Sequence, residues 1–400
     1  MMPTLKVAVV STYPPGTGTL NEYGYHLVKA FSQHPSMAEL TVIADKLPEG
    51  LSYNPEASEK GRINFIPAWR FNSWRNPWNI VRAVRKAKPD IVFFNIQFLT
   101  FGDRKIPAAL GLLTPFILRL CGYRSVLLLH NILEQVDLKQ AGITQNRLLS
   151  SIYNLIGTLL SRFVLSANLV AVTISKYVRV LEEKYKAKNV ALVPHGSFED
   201  TPMPSLDLSP GPVKIMTFGK FGTYKKVEVM IDAVILLRKR CPIPLEIVIA
   251  GTDSPNRKGY LEEVKQRYAQ VPGLNFTGYV PEEAVAGLFS ESALVVFPYT
   301  STTGSSGVLH QAGNYGKAVI LPDIGDLGEL IREEGYAGEL FVPEDAESLS
   351  TALEKVISND EYRRSLGLKN YFAAVSLPMR EIVDWYYIHF LGILKRSAIG

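Results

Sequence analysis

The sequence predicts an α/β protein built from two doubly wound, Rossmann-like domains in series, with a C-terminal helix packing back on the first. Three observations carry this. Short apolar runs alternate with amphipathic stretches along the chain, as in parallel-sheet units with helices on both faces. Most of the runs are continuous Val, Ile, Leu or Phe, as strands buried on both faces require. With 400 residues the chain also exceeds what one core organises, so two domains of roughly 200 residues follow.

In the first half the strand candidates are Lys6 to Ser11, Leu40 to Asp45, Ile63 to Ala68, Asp90 to Gln97, Ser125 to His130, Asn168 to Ser175 and Val190 to Pro194. Between the first two, Leu20, Tyr23, Leu27 and Phe31 share a helical face. The proline-rich stretch 197–213 reads as a linker. After it the alternation restarts through VKIMTFGKF, LEIVIAG, LNFTGYV, ALVVFPYT, KAVILPD and ELFVPED. Ser348 to Lys395 reads as helical apart from Pro378, and its apolar end is unsuited to a free tail. The expected division is 1–200, 211–375 and a returning helix at 376–400.

Composition excludes several classes. Forty-three Lys and Arg against 38 Asp and Glu is only mildly basic, which disfavours dedicated nucleic-acid binding and permits anionic substrates or membrane surfaces. Cys121 and Cys241 stand far apart without metal-ligand spacing, so a reducing, cytoplasmic setting fits. The N-terminal apolar run is too short for a signal peptide. The most apolar stretches are broken by Pro115, Arg119, Arg124 and Arg162, so no transmembrane helix is expected.

In open parallel sheets ligands bind at the carboxyl ends of strands, which directs attention to four loops. In STYPPGTGTLNEYG, Gly16 and Gly18 allow amides to approach an anion, whereas Asn21 stands where a dinucleotide fingerprint needs glycine. His130 follows an apolar strand directly. Lys220 and Lys225 flank the turn after Gly219, an arrangement suited to a diphosphate. Finally TSTTGSSG precedes a helix that Ser305 or Ser306 can cap, and the free amides at its start offer donors. Each loop also has a plain reading: an unliganded glycine turn, a satisfied histidine, solvated lysines and a capped helix.

Taken in order, these loops resemble the retaining, nucleotide-sugar-dependent glycosyltransferases of family 4, which have the GT-B fold of two Rossmann-like domains facing across a cleft. FGKFGTYKK resembles their Gly-Arg turn with its following lysine, Lys220 standing for the arginine and Lys225 for the lysine. VPHGSF is similar to the segment leading into their linker, and GNYGKAVILPDIGDLGELI to a run ending at Glu329. The family's paired glutamates fall, counting back from Gly316, at Thr303 and Gln311 here. The resemblance implies that Gln311 accepts from the ribose hydroxyls through its amide oxygen. Thr303, or Ser305 and Ser306, would then replace the glutamate that contacts the donor sugar, with Gly304 and Gly307 completing the donor loop.

The resemblance further implies a metal-independent reaction in which a hexose leaves a nucleotide diphosphate and the acceptor hydroxyl attacks the same face. Lys220, Lys225 and the amides near Ser306 would stabilise the departing charge, and His130 would help fix the reacting centre. The resemblance implies a nucleotide-diphosphate sugar as co-substrate and no metal cofactor, and the sequence holds no Asp-x-Asp motif, in keeping with cationic side chains doing the work of a divalent ion. The acceptor would be a glycan or lipid-linked molecule on the first domain. Between Gly61 and Pro89 seven cations and three tryptophans occur without one acid. Trp74, Trp78, Arg82 and Arg85 suit peripheral contact with an anionic membrane, on the cytoplasmic face, and the apolar helix from Ile106 to Leu120 adds to that reading. Equally, the tryptophans could be core and the cations a solvated face. The competing functional reading is a catalytically silent relative that binds a nucleotide or sugar, or acts as a scaffold.

Overall fold

A computed structural model describes residues 3–16, 18–53, 63–132, 147–198, 202–254, 257–301 and 305–396. The chain divides into two compact units, Met1–His195 with Met379–Gly400, and Gly196–Pro378.

The first unit runs β1 (Leu5–Val10), α1 (Asn21–Gln33), β2 (Met37–Asp45), β3 (Ile63–Trp69), α2 (Asn76–Ala87), β4 (Ile91–Ile96), α3 (Lys105–Leu112), α4 (Thr114–Leu120), β5 (Ser125–Leu129), α5 (Arg147–Val164), β6 (Leu169–Val172), α6 (Ser175–Tyr185) and β7 (Val190–Leu192). Its strands form one parallel sheet in the order β3-β2-β1-β4-β5-β6-β7. The order reverses between β1 and β4, which makes that crevice the topological switch point. β4, IVFFNI, is buried at every position and so reads as an apolar run broken only by Asn95.

The second unit runs β8 (Val213–Phe221), α7 (Glu228–Leu237), β9 (Leu245–Asp253), α8 (Tyr260–Arg267), β10 (Leu274–Gly278), α9 (Glu282–Glu291), β11 (Leu294–Val296), α10 (Gly307–Asn314), β12 (Ala318–Pro322), α11 (Gly325–Glu334), β13 (Gly338–Phe341), α12 (Ala346–Ile357) and α13 (Asp360–Val375). Its parallel sheet has the order β10-β9-β8-β11-β12-β13, and here the switch point lies between β8 and β11. Both sheets are thus doubly wound.

The chain then returns as α14 (Met379–Arg396), which joins the first unit. Its Tyr386 ring packs 4.8 Å from Phe93, Phe390 stacks at 6.0 Å on Phe31, and the Tyr387 hydroxyl donates to the Ser36 carbonyl. Burying each such aromatic contributes on the order of 2–3 kcal/mol, which is why this helix is not a free tail.

Two helical stretches differ from the sequence reading. The apolar segment from Ile106 to Leu120 is two helices, because Pro115 in the first turn of α4 has no N–H to continue α3. The C-terminal stretch breaks at Asn359, whose side chain accepts from the Tyr362 amide at 2.9 Å and starts α13 afresh. Among the described residues no helix is long and apolar enough to cross a membrane.

Candidate functional site

In the second unit the loop after β8 is tied to the segment after β11. The Lys226 amide donates to Pro298 at 3.0 Å, the Thr300 amide to Tyr224 at 2.8 Å, and Lys225 pairs with Tyr299 across an antiparallel bridge. Since β8 and β11 are neighbours at the switch point, this pairing brings the lysine loop and the approach to α10 to one place.

Lys225 is 9 % exposed, yet among the described residues its ammonium meets no carboxylate and no hydrogen-bond acceptor. Its surroundings are aromatic: Nζ lies 4.7 Å from the Tyr299 ring centroid and 5.8 Å from that of Tyr224. Gly219, at φ 135°, closes the other side, where a Cβ would stand 2.7 Å from the same Nζ. A side chain there would displace the cation. Gly219 is itself crowded from β9, because a Cβ on Gly251 would come within 1.9 Å of the Gly219 carbonyl oxygen. Lys220 is the exposed residue after Gly219, and desolvation by the surrounding chain lowers its ammonium pKa.

Ser306 takes the N-cap position of α10 at φ −98°, but its hydroxyl makes no capping bond. Instead the Ser306 side chain lies beside the Tyr299 phenol, which burial holds well above its ordinary pKa and Ser306 partly counteracts. Among the described residues the Gly307 and Val308 amides meet no acceptor, so the helix start keeps free donors as well as its partial positive charge. Ser305 adjoins them, half-buried. Gln311 is buried one turn further into α10. Thr303 and Gly304 lie outside the described residues.

In the first unit the switch point carries a polar relay. The Ser11 hydroxyl donates to the Thr12 carbonyl at 2.7 Å, the Asn95 amide donates to Ser11 Oγ at 2.9 Å, and Asn95 Oδ1 lies 2.7 Å from His130 Nε2. With the Asn95 nitrogen committed to Ser11, its oxygen must accept, which fixes the proton of neutral His130 on Nε2. Burial, then the neighbouring His195, pushes the His130 pKa down to about 3, so the ring is neutral. Tyr23 stands edge-on to both imidazoles at 4.6 Å and donates to the His195 carbonyl at 2.9 Å. Helix α1 reaches this relay through Gly24, where a Cβ would meet the Thr12 carbonyl oxygen at 2.5 Å.

Gly16 and Gly18 are here close-approach glycines. The Gly16 amide donates to Tyr13 at 2.9 Å, and Cβ atoms would meet Asp45 Oδ2 at 2.8 Å and Thr12 Cγ2 at 2.3 Å, respectively.

The tryptophans divide. Trp69 is core, its indole donating to the Ile43 carbonyl at 3.1 Å, while Trp74 and Trp78 are exposed together with Arg82 and Arg85.

Three residues of these sites went unremarked in the sequence. Asn95 is signalled as the one polar residue in a strand of buried apolar ones. Tyr299 and Tyr224 carry no local mark, since their meeting depends on the pairing of two loops.

Comparisons bear on both units. The family model "Glycosyl transferases group 1" matches residues 212–359. O-antigen chain mannosyltransferase C of Escherichia coli is 28% identical over 153 residues, a match spanning 37% of this chain and only 38% of that protein. Among solved structures, sucrose-phosphate synthase from Thermosynechococcus elongatus superposes with a TM-score of 0.73 at 17% identity, covering 96% of this chain and 99% of that one. HepE of Anabaena, solved with UDP-glucose, gives 0.65 at 16% identity, covering 99% and 100%. Residues 212–359 are thus similar to the glycosyl transferases group 1, and by its two doubly wound sheets the chain has the GT-B fold.

Proposed function

We propose that the chain transfers a hexose from a nucleotide-diphosphate sugar to an acceptor hydroxyl with retention and without a metal ion. The buried Lys225 ammonium, lacking an anionic partner among the described residues, carries this reading. Removing a cation from water costs several kcal/mol, and two aromatic faces return about 0.5–2 kcal/mol each. A diphosphate beside it supplies the missing counter-charge, with Lys220 and the Gly307 and Val308 amides as further donors. That HepE was solved with UDP-glucose supports the same donor class.

In the proposed reaction the bond from the anomeric carbon to the diphosphate breaks as the acceptor oxygen bonds to that carbon on the same face. The acceptor proton passes to a leaving phosphate oxygen, and the nucleotide diphosphate departs. Gln311 serves the ribose, and Ser305 and Thr303 serve the sugar end of the donor. The acceptor is a glycan or lipid-linked molecule.

A thermal-shift panel of nucleotide diphosphates tests this. At about 100 times the dissociation constant the cognate member should stabilise the protein by about 2.7 kcal/mol. Silence toward every member would favour a scaffold that has lost the site.

A further inference from the structure

Indole rings are seldom left in water on a soluble surface, and contiguous apolar patches mark contact sites. Here Trp74 and Trp78, at 71% and 69% exposure, bracket the start of α2, and Phe71, Ile106 and Leu120 are also exposed. These residues share one face. Asn72 donates to Asp103 Oδ1 at 2.7 Å and accepts from the Asp103 and Arg104 amides at 3.1 and 3.0 Å, which holds the loop of Phe71 and Trp74 against the entry to α3 and Ile106. At the other end of α2, Arg85 donates to Cys121 Sγ at 3.7 Å, bringing Leu120 alongside. Trp78, Arg82 and Arg85 follow one another at helical spacing on the exposed side of α2, while Ile80, Val81 and Val84 fill the core.

The charge is nearly of one sign. Across residues 70–88 and 99–124 every ionised side chain is Lys or Arg except Asp103, and Asn72 already engages that carboxylate. Among the described residues Arg70, Arg75, Arg82 and Arg85 form no ion pair. We infer that this face docks on an anionic lipid bilayer, the indoles seated at headgroup depth and the arginines on lipid phosphates. A second copy presenting the same face would set like charges against each other, whereas an anionic bilayer is negative throughout and asks no shape match. This goes beyond the transfer reaction and does not depend on it.

Flotation of the full chain with phosphatidylcholine vesicles, with and without phosphatidylglycerol, tests the inference. The chain should float with the anionic vesicles only, its tryptophan emission should shift to the blue, and raising salt from about 0.1 to 1 M should release it. Trp74→Ser/Trp78→Ser and Arg82→Glu/Arg85→Glu, all at exposed positions, should each weaken partition at least about tenfold while circular dichroism stays that of wild type. Wild type remaining in solution with anionic vesicles, either variant floating as wild type does, or a dimer dissociated by these changes without any flotation would overturn it. Loss of nucleotide binding would leave flotation intact, so the two proposals fail separately.

Discussion

The Lys225 ammonium packs 4.7 Å from the Tyr299 ring, and Tyr299 in turn stands beside Ser306 at the start of α10. One aromatic side chain therefore links a cation on the β8 loop to the free amides of a helix that begins 82 residues later by count from Lys225 to Gly307. Three consequences concern this assembly and one concerns the relay in the first unit.

Lys225→Ala removes a buried charge that the described protein leaves without a counter-ion, so folding loses little. We expect a melting temperature within a few degrees of wild type but a fall in kcat/KM of about 100-fold, equal to about 2.7 kcal/mol of transition-state stabilisation. Lys220→Ala should behave alike with a smaller loss. Equal losses in melting and turnover for either variant would remove its assigned role.

Gly251→Ala should be among the most damaging single changes in the second unit. The new Cβ meets the Gly219 carbonyl oxygen at 1.9 Å at a backbone φ of 134°, and neither backbone can give way. A loss of at least about 3 kcal/mol in urea unfolding is expected. Gly287→Ala is the control, since nothing lies within 4 Å of its Cβ on α9, and it should stabilise by up to about 1 kcal/mol. Similar outcomes for the two would contradict the packing described.

Gln311→Glu keeps an acceptor oxygen in the first turns of α10, where the helix start favours negative charge. Nucleotide diphosphate affinity measured by calorimetry should remain within about threefold, since a ribose hydroxyl donates to either side chain. Gln311→Leu should weaken it about tenfold or more, through loss of a hydrogen bond in a buried setting. A collapse of binding in the Glu variant would show that Gln311 does not face the ribose.

His130 also sets a pH dependence. Its folded pKa is lowered to about 3 from an ordinary 6.5, so as pH falls below 6.5 the unfolded chain takes up a proton that the folded chain refuses. Stability is full above that point and declines toward pH 3. Unfolding free energies at pH 7, 6 and 5 should therefore slope more steeply for wild type than for His130→Asn, by up to one proton's worth. His26, lowered to about 4 by burial, leaves a residual slope in both proteins. Parallel slopes would mean that His130 is charged in the fold.

The doubly wound class was legible because buried parallel strands leave a signature in adjacent residues: β1, β3, β4 and β5 fall within two residues of the apolar runs that foretell them. The cations of the β8 loop were legible too, because glycines and lysines in a strand-end turn are local marks. The break between α3 and α4 was available in Pro115 but outweighed by the apolar run around it. Nothing local told Trp69 from Trp78. Trp69 ends a strand and reaches the Ile43 carbonyl on β2, whereas Trp78 opens a helix on the side away from the sheet.

By itself, then, the sequence determined which segments are strands and helices and which loops carry charge, since periodicity and turn chemistry act over a few residues. Tertiary structure alone decided that Lys225 is buried against Tyr299, that Asn95 holds His130 in one tautomer, and that two indoles stay in solvent. Each of those outcomes depends on groups from separate strands meeting at a switch point or on a surface. Such meetings are set by sheet order and packing, which no short window of residues encodes.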